Sequence, residues 1–375
     1  MTSPQPLPEP SFIERDAASI TSDMVTMYEN MAGKTLYPAQ PERLMVDVIS
    51  YREMGLRIAI QEAAEDNLVA YAPAPMLDYL GQLVCVTRLD ATAAGCQAQV
   101  TLTAAQATDT DIPSGLTLTA KDGSNFLTAG AATVAAGLTS TILNIVAAMP
   151  GAAGNGFLAG EITGPSGDGW PTCVSQVANI GVSYGGADVE TDDRLRSRIV
   201  LGPEAFAVAG PEASYRAHAL GAHQDIVDVA MTTPWPGLVN VYVLTSSGQP
   251  NKDILDLVTA ALTPTSVRPL TDQVMVLPPS QVNFEIISSL TLYSGADATQ
   301  VQSDAQTALA TYANNLRQQL GQAVVPSQII TLIGNVNGVY DVELQSPQSI
   351  TLATNQWANC TNITLNVAGY ANANQ

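Results

Sequence analysis

Residues 185–199 read Gly-Gly-Ala-Asp-Val-Glu-Thr-Asp-Asp-Arg-Leu-Arg-Ser-Arg-Ile. Two glycines open a flexible break, the acids Asp188, Glu190, Asp192 and Asp193 follow, and Arg194, Arg196 and Arg198 come next. This is a loop entering a helix. Thr191 stands as N-cap, and Asp192 and Asp193 fall in the first turn, where carboxylates favour the positive end of the helix dipole. Leu195 and Ile199 lie four apart on one face. A capped amphipathic helix after a turn accounts for the whole stretch. The acids also allow an oxygen-ligand calcium site, although no D-x-[DN]-x-[DN]-G loop orders them.

The stretch is also a seam. Before it, residues 89–183 are rich in Ala, Thr, Gly and Val, and alternate as in Gln97-Ala98-Gln99-Val100-Thr101-Leu102-Thr103. Turn signals recur at Pro113, Gly115, Asp122-Gly123, Gly137 and Pro150-Gly151. That texture predicts an all-β module of short strands without a solenoid repeat. After the seam the pattern is mixed. Helices are expected over 191–201, 212–221 and 253–262, with strands over 226–231, 238–244 and 273–277. Pro278-Pro279 then breaks the chain. Beyond it a strand over 282–293, helices over 297–320 and 327–333, and a strand over 339–344 are expected, with Asp297 and Gln300 spaced as a capping box. Two such units predict small antiparallel sheets with helices on one face.

The N-terminal end is helical. A Pro-rich tail precedes a short helix from Ile20 to Met31, closed by Gly33. The longest helical stretch runs from Glu42 to Tyr71. Leu44, Val48, Ile49, Leu56 and Ile60 recur there at roughly the helical period, opposite Glu53, Arg57, Glu62, Glu65 and Asp66. Such a stripe packs either on its own domain or on a partner subunit. The expected fold class is therefore α+β multidomain. Its parts are an N-terminal tail and helices at 1–88, a β-rich module at 89–184, an α+β domain at 185–279 and a C-terminal α+β domain at 280–375. Gly185-Gly186 and Pro278-Pro279 are the expected bending points.

Composition narrows the function. The 375 residues carry 34 acids against 14 bases, a net charge of −20, which repels phosphate backbones and argues against nucleic-acid binding. The four cysteines form no C-x-x-C pair and show no metal-ligand spacing, so free thiols in a reducing compartment are expected. The start of the chain has no signal-peptide pattern, and the Ala/Gly/Thr-rich window 129–148 is broken by Asn144, so no membrane association is expected. His218 and His223 are five apart and cannot share a helical face as ligands. No G-x-S-x-G elbow occurs, and no Gly-Lys-Ser/Thr follows the glycines of 151–156. Asp109 and Asp111 share a strand face and could pair for glycoside hydrolysis, or simply line a solvated turn. No catalytic, cofactor-binding or metal residue is expected.

An ordered set of motifs adds to this. Leu77-Asp78-Tyr79-Leu80-Gly81 with Val86-Thr87-Arg88 comes first, then Ile112-Pro113-Ser114-Gly115 with Phe126-Leu127-Thr128. Pro150-Gly151-Ala152-Ala153-Gly154-Asn155 precedes the Gly185–Ile199 segment, and Pro236–Leu244 and Arg268-Pro269-Leu270-Thr271 follow it. This succession resembles the baseplate J-like family, the wedge proteins of contractile phage tails and related injection particles. It covers about residues 75–280, and Leu116 departs from it where the family has a small polar residue. The resemblance implies a virion structural subunit, assembled in the bacterial cytoplasm as several copies around a central hub or spike. Two copies would join one smaller wedge protein through an N-terminal helical bundle, and C-terminal domains would link neighbouring copies. Contacts with sheath-proximal proteins and a shape change that releases sheath contraction are implied as well. On that view Leu44, Val48, Leu56 and Ile60, and the arginines Arg194, Arg196 and Arg198, are the expected interface residues. The alternative is a tail-associated host-surface binding or glycan-degrading protein, which the scarcity of aromatic residues disfavours.

Overall fold

The computed structural model describes residues 8–207 and 210–371. The first prolines of the N-terminal tail lie outside the described residues. The chain is α+β and multidomain, and it divides into two compact units. One holds the residues up to Arg88 together with Thr191–Val200; the other holds Leu89–Glu190 and the chain from Leu201 onward.

In the first unit, α1 (Ala17–Ala32) begins at Asp16, whose carboxylate accepts from the Ser19 amide at 2.8 Å. It ends at Gly33, whose φ of 64° is the left-handed cap conformation that glycine adopts without strain. The 25-residue α2 (Pro41–Glu65) starts with proline, whose fixed φ suits the first helical position. It stops short of the expected Tyr71. Asn67 Nδ2 donates to the Ala63 carbonyl at 2.7 Å and satisfies an acceptor left open at the helix end. Two more helices, α3 (Met76–Gln82) and α4 (Asp192–Leu201), complete this unit, where Leu195 and Ile199 of α4 are buried with Ala72 and Leu77.

The second unit opens with eight strands: β1 (Gly95–Leu102), β2 (Thr110–Ile112), β3 (Thr117–Ala120), β4 (Asn125–Thr128), β5 (Ala132–Val134), β6 (Ser140–Ala147), β7 (Ile162–Ser166) and β8 (Val174–Asn179). Six close into a barrel in the order β1-β6-β4-β3-β7-β8, and β2 pairs with β5 as a separate ribbon. The alternation seen in the sequence is realised on β1, which buries Cys96, Ala98, Val100 and Leu102 and turns Gln97 and Gln99 outward. Inside, Phe126 meets Phe157 edge to face at 5.7 Å. Closure leaves the barrel without an open strand edge.

Next come α5 (Glu212–Leu220), β9 (Ile226–Trp235), β10 (Leu238–Thr245), α6 (Lys252–Leu262) and β11 (Gln273–Leu277), with strand order β11-β10-β9. The last block is β12 (Ser280–Leu292), α7 (Ala298–Arg317), α8 (Pro326–Gly334), β13 (Val339–Ser346) and β14 (Gln356–Tyr370), with strand order β13-β12-β14. The expected antiparallel sheets are in fact mixed. β10 runs parallel to β11 and β12 parallel to β14. In the first case α6 supplies the crossover that a parallel pair requires. The 15-residue β14 is absent from the sequence-based expectation. At the start of α7, Asp297 accepts from Thr299 N at 2.9 Å, but Gln300 turns to Asp304 instead of closing a capping box.

Candidate interface surfaces

Helix α2 is turned inside out with respect to ordinary amphipathic packing. The residues it buries are Val46, Ser50 and Gln61. Against that side runs the segment before α1: Gln61 donates to the Pro10 carbonyl at 2.6 Å and accepts from Phe12 N at 2.8 Å, and Arg57 reaches the Glu14 carbonyl at 3.3 Å. The predicted stripe is left in solvent, with Leu44 62%, Val48 65%, Leu56 58% and Ile60 53% exposed. Met45 and Ile49 extend it. At 100° per residue these side chains cover nearly half the helix surface, much more than the scattered exposed apolar residues of an ordinary surface.

Helix α4 forms as its caps predict, with the Arg194 amide donating to Thr191 Oγ1 at 3.4 Å. Arg196 and Arg198 bond to carbonyls of the helix's own unit. Arg196 donates to the Val69 and Ala72 carbonyls at 2.7 and 3.1 Å and pairs with Asp193 at 2.7 Å. Arg198 donates to the Thr87 carbonyl at 3.1 Å, and Arg194 is half-buried. Arg88 binds Asp78 at 2.8 Å and Asp192 at 2.7 Å, and the guanidinium holds the Asp78 carboxyl below its ordinary range. These residues tie α4 to the segments that precede it by more than a hundred positions.

The expected bending points are well tied. Gly185 has φ of 82°, and its carbonyl accepts from Thr92 Oγ1 at 3.0 Å. Gly186 exchanges two hydrogen bonds with the Asn155 amide side chain, at 2.8 and 2.7 Å. A Cβ on Gly186 would lie 2.4 Å from the Gly151 carbonyl oxygen, so the backbone approach there admits only glycine. Bending at this pair breaks those bonds. Pro278-Pro279 is spanned in the same way. Gln249 donates to the Pro279 carbonyl at 3.2 Å, Arg317 to the Ser247 carbonyl at 2.8 Å, and the Leu320 amide to Asp228 at 2.8 Å. Trp357, 2% exposed, lies under the Arg317 guanidinium and against Gly248. This joint has no motif in the sequence; its parts lie far apart in the chain.

The acids do not converge. Asp188 accepts from Ala152 N at 3.0 Å, and Glu190 accepts from Leu89 N at 3.0 Å. Asp192 and Asp193 pair with Arg88 and Arg196. Among the described residues no group of three His, Cys, Asp or Glu side chains is placed to hold a metal ion. Asp109 and Asp111 accept from Ala136 N and Thr133 Oγ1, which builds the ribbon between β2 and β5. A cleft of about 660 Å³ lies between β1, β6 and α6, lined by Cys96, Tyr184, His223 and Asp253 among others. Burial pushes the Cys96 thiol up to about 11, which keeps it protonated and poorly nucleophilic at neutral pH. Tyr184 donates to Asp253 at 3.2 Å. No described helix is long and apolar enough to cross a membrane.

Comparison with known proteins agrees with this architecture. Four family models match in order along the chain: the baseplate J-like N-terminal domain at 41–95, the barrel domain at 99–186, the central domain at 207–278 and the C-terminal domain at 282–366. The barrel match coincides with the closed barrel. Baseplate protein J of Escherichia phage P2 is 32% identical over 178 residues, which is 47% of this chain and 58% of that protein. The chain thus aligns with little more than half the length of this curated relative. A solved chain from the anti-feeding prophage baseplate is similar at 14% identity and a TM-score of 0.46, over 91% of this chain and 90% of that one. The chain belongs to the baseplate J-like family.

Proposed function

We propose that the chain is a non-enzymatic wedge subunit of a contractile-tail baseplate. Several copies surround the central hub or spike in the virion, after assembly in the host cytoplasm. The N-terminal helices bundle with a smaller wedge protein, and the C-terminal domains meet neighbouring copies and sheath-proximal proteins. The observation that carries this reading is the outward apolar stripe of α2. An apolar face of that extent costs free energy in water and gains about 25 cal/mol per Å² when a partner covers it.

The transmitted shape change is then a movement between compact units. The chain passes from one unit to the other after Arg88, Glu190 and Val200. We place the pivots at these crossings in preference to Gly185-Gly186 or Pro278-Pro279, because both of those pairs are held by hydrogen bonds. The arginines of α4 act within their unit and shape the bundle end indirectly.

Co-expression with a smaller wedge protein, followed by size-exclusion chromatography with light scattering, tests the assignment. The expected result is one complex with two copies of this chain, lost in Leu56→Asp while the variant's own fold persists. A stable homotrimer without partner would overturn it in favour of a host-surface binding protein.

A further inference from the structure

The cleft between β1, β6 and α6 has aliphatic walls. On the barrel side, Gly95 of β1 stands between Val146 of β6 and Tyr184, and all three line the cleft. Gly95 has no side chain, so this row is hollow at its centre, and Ile180 and Val182 continue the wall. On the other side stands Leu257 of α6, a helix fixed by Ile254, Val258 and Leu262 in the core of its own domain. Ile180, Val182, Tyr184 and Leu257 remain 44–48% exposed. The two walls are tied together, since Tyr184 Oη donates to Asp253 of α6 at 3.2 Å. A preformed apolar concavity of about 660 Å³ lies within the size range of binding sites.

The cleft holds one charge. Asp253 is exposed and makes no ion pair among the described residues. The unit around it has no cation to spare. Lys252, its neighbour, pairs with Asp256. The other bases of Leu89–Glu190 and of the chain from Leu201 onward are Lys121, Arg216, Arg268 and Arg317. Lys121 pairs with Glu161 at 3.1 Å and Arg216 with Asp228 at 2.6 Å. Arg268 donates to the Thr263 carbonyl at 3.0 Å and Arg317 to the Ser247 carbonyl at 2.8 Å. A partner that covers Val182 and Leu257 takes Asp253 out of water as well. A carboxylate buried without a counter-charge is strongly unfavourable, so the partner has to bring a cation. The chain's net charge of −20 acts in the same direction, drawing basic segments and repelling acidic ones.

We propose that this cleft is a docking site for a segment of another protein that presents a Lys or Arg beside aliphatic side chains. The aliphatic groups fill the hollow over Gly95, and the cation meets Asp253. The cleft belongs to a different unit from α2, so this site goes beyond the bundle reading and stands or falls without it.

The probe is a displayed library of random seven-residue peptides, selected on the immobilised full chain and counter-selected on its Leu257→Asp variant. That control separates docking from general attraction. Leu257→Asp adds a negative charge, so peptides held by the acidic surface alone bind it better, while peptides seated in the cleft lose a wall. The expected peptides carry Lys or Arg within two positions of Leu, Ile or Val. They should bind the wild-type chain about tenfold or more tightly than Leu257→Asp or Val182→Asp. On Asp253→Lys the same library is expected to yield Asp or Glu in place of the base. Leu257 and Val182 lie on different elements, so a folding failure in one variant leaves the other to decide. No enrichment over the counter-selection, equal or tighter binding to both wall variants, or the same basic peptides on Asp253→Lys overturns the proposal. Self-association of the wild-type chain that Leu257→Asp abolishes would give the cleft to a second copy and overturn it too.

Discussion

Helices α2 and α7 are the two long helices of the molecule, with 25 and 20 residues, and both carry apolar residues at helical spacing. α7 uses them inward: Val301, Ala305, Leu309 and Leu316 are buried, and the helix covers the β12–β14 sheet. α2 does the opposite, burying Val46, Ser50 and Gln61 and leaving Leu44, Val48, Leu56 and Ile60 outside. Nothing in the period of either sequence separates the two cases. What separates them is the surface available. α7 follows a strand whose inner face offers Phe284, Ile286, Leu290 and Leu292, while within its own unit and among the described residues α2 packs against α1 and an extended segment that binds it through Gln61 and Arg57. The same helical spacing is thus satisfied by a sheet in one case and left exposed among the described residues in the other.

The comparison can be broken by mutation. Leu309→Ala in α7 empties a fully buried site, and a loss of about 2–5 kcal/mol is expected in urea unfolding of the isolated chain. Arg88→Ala removes the clamp between α3 and α4, and about 1–2 kcal/mol is expected there, since the pair is only partly buried. Its pH signature is specific. The Asp78 carboxyl lies lower in the folded chain than in the unfolded one, so its contribution is present above about pH 4 and lost as pH falls through the folded value. Wild-type stability should therefore drop more steeply in acid than that of Arg88→Ala, which thermal melts between pH 5 and about pH 2 would show. Leu56→Ala on the outward stripe should shift the isolated chain by no more than about 0.5 kcal/mol. A large loss at Leu56 would mean that the stripe is covered by the chain itself, and the contrast with α7 would disappear.

Much of the fold could be read from local signals. Gly33 closes α1, Asp297 opens α7, and the period-two pattern of residues 97–103 marks β1, while the start of α1 lies at Asp16–Ala17, ahead of the expected Ile20. β14 was hidden because Asn359, Thr361, Asn362, Thr364 and Asn366 give it the composition of a loop; it is a strand because β12 pairs with it along its whole length. The mixed sheets were hidden for a related reason, since strand direction is decided by where a crossover returns the chain. At the candidate interface, the stripe on α2 was legible and its outward orientation was not. The arginines of α4 read as interface residues, yet Arg196 and Arg198 donate to the carbonyls of Val69, Ala72 and Thr87, which no local pattern can anticipate. Gly185-Gly186 read as flexible for the same reason: its restraints come from Thr92 and Asn155.

The separation of α4 from α3 has a consequence for synthesis. The small core of the first unit needs Leu195 and Ile199, which leave the ribosome more than a hundred residues after Leu77. The whole barrel sequence is made in between, and domains generally fold as they emerge. The N-terminal unit, most of which is translated before the barrel, is thus among the later parts to be completed. Its exposed helix is set on a finished base only after the barrel can already stand, and a nascent or truncated chain lacks that base.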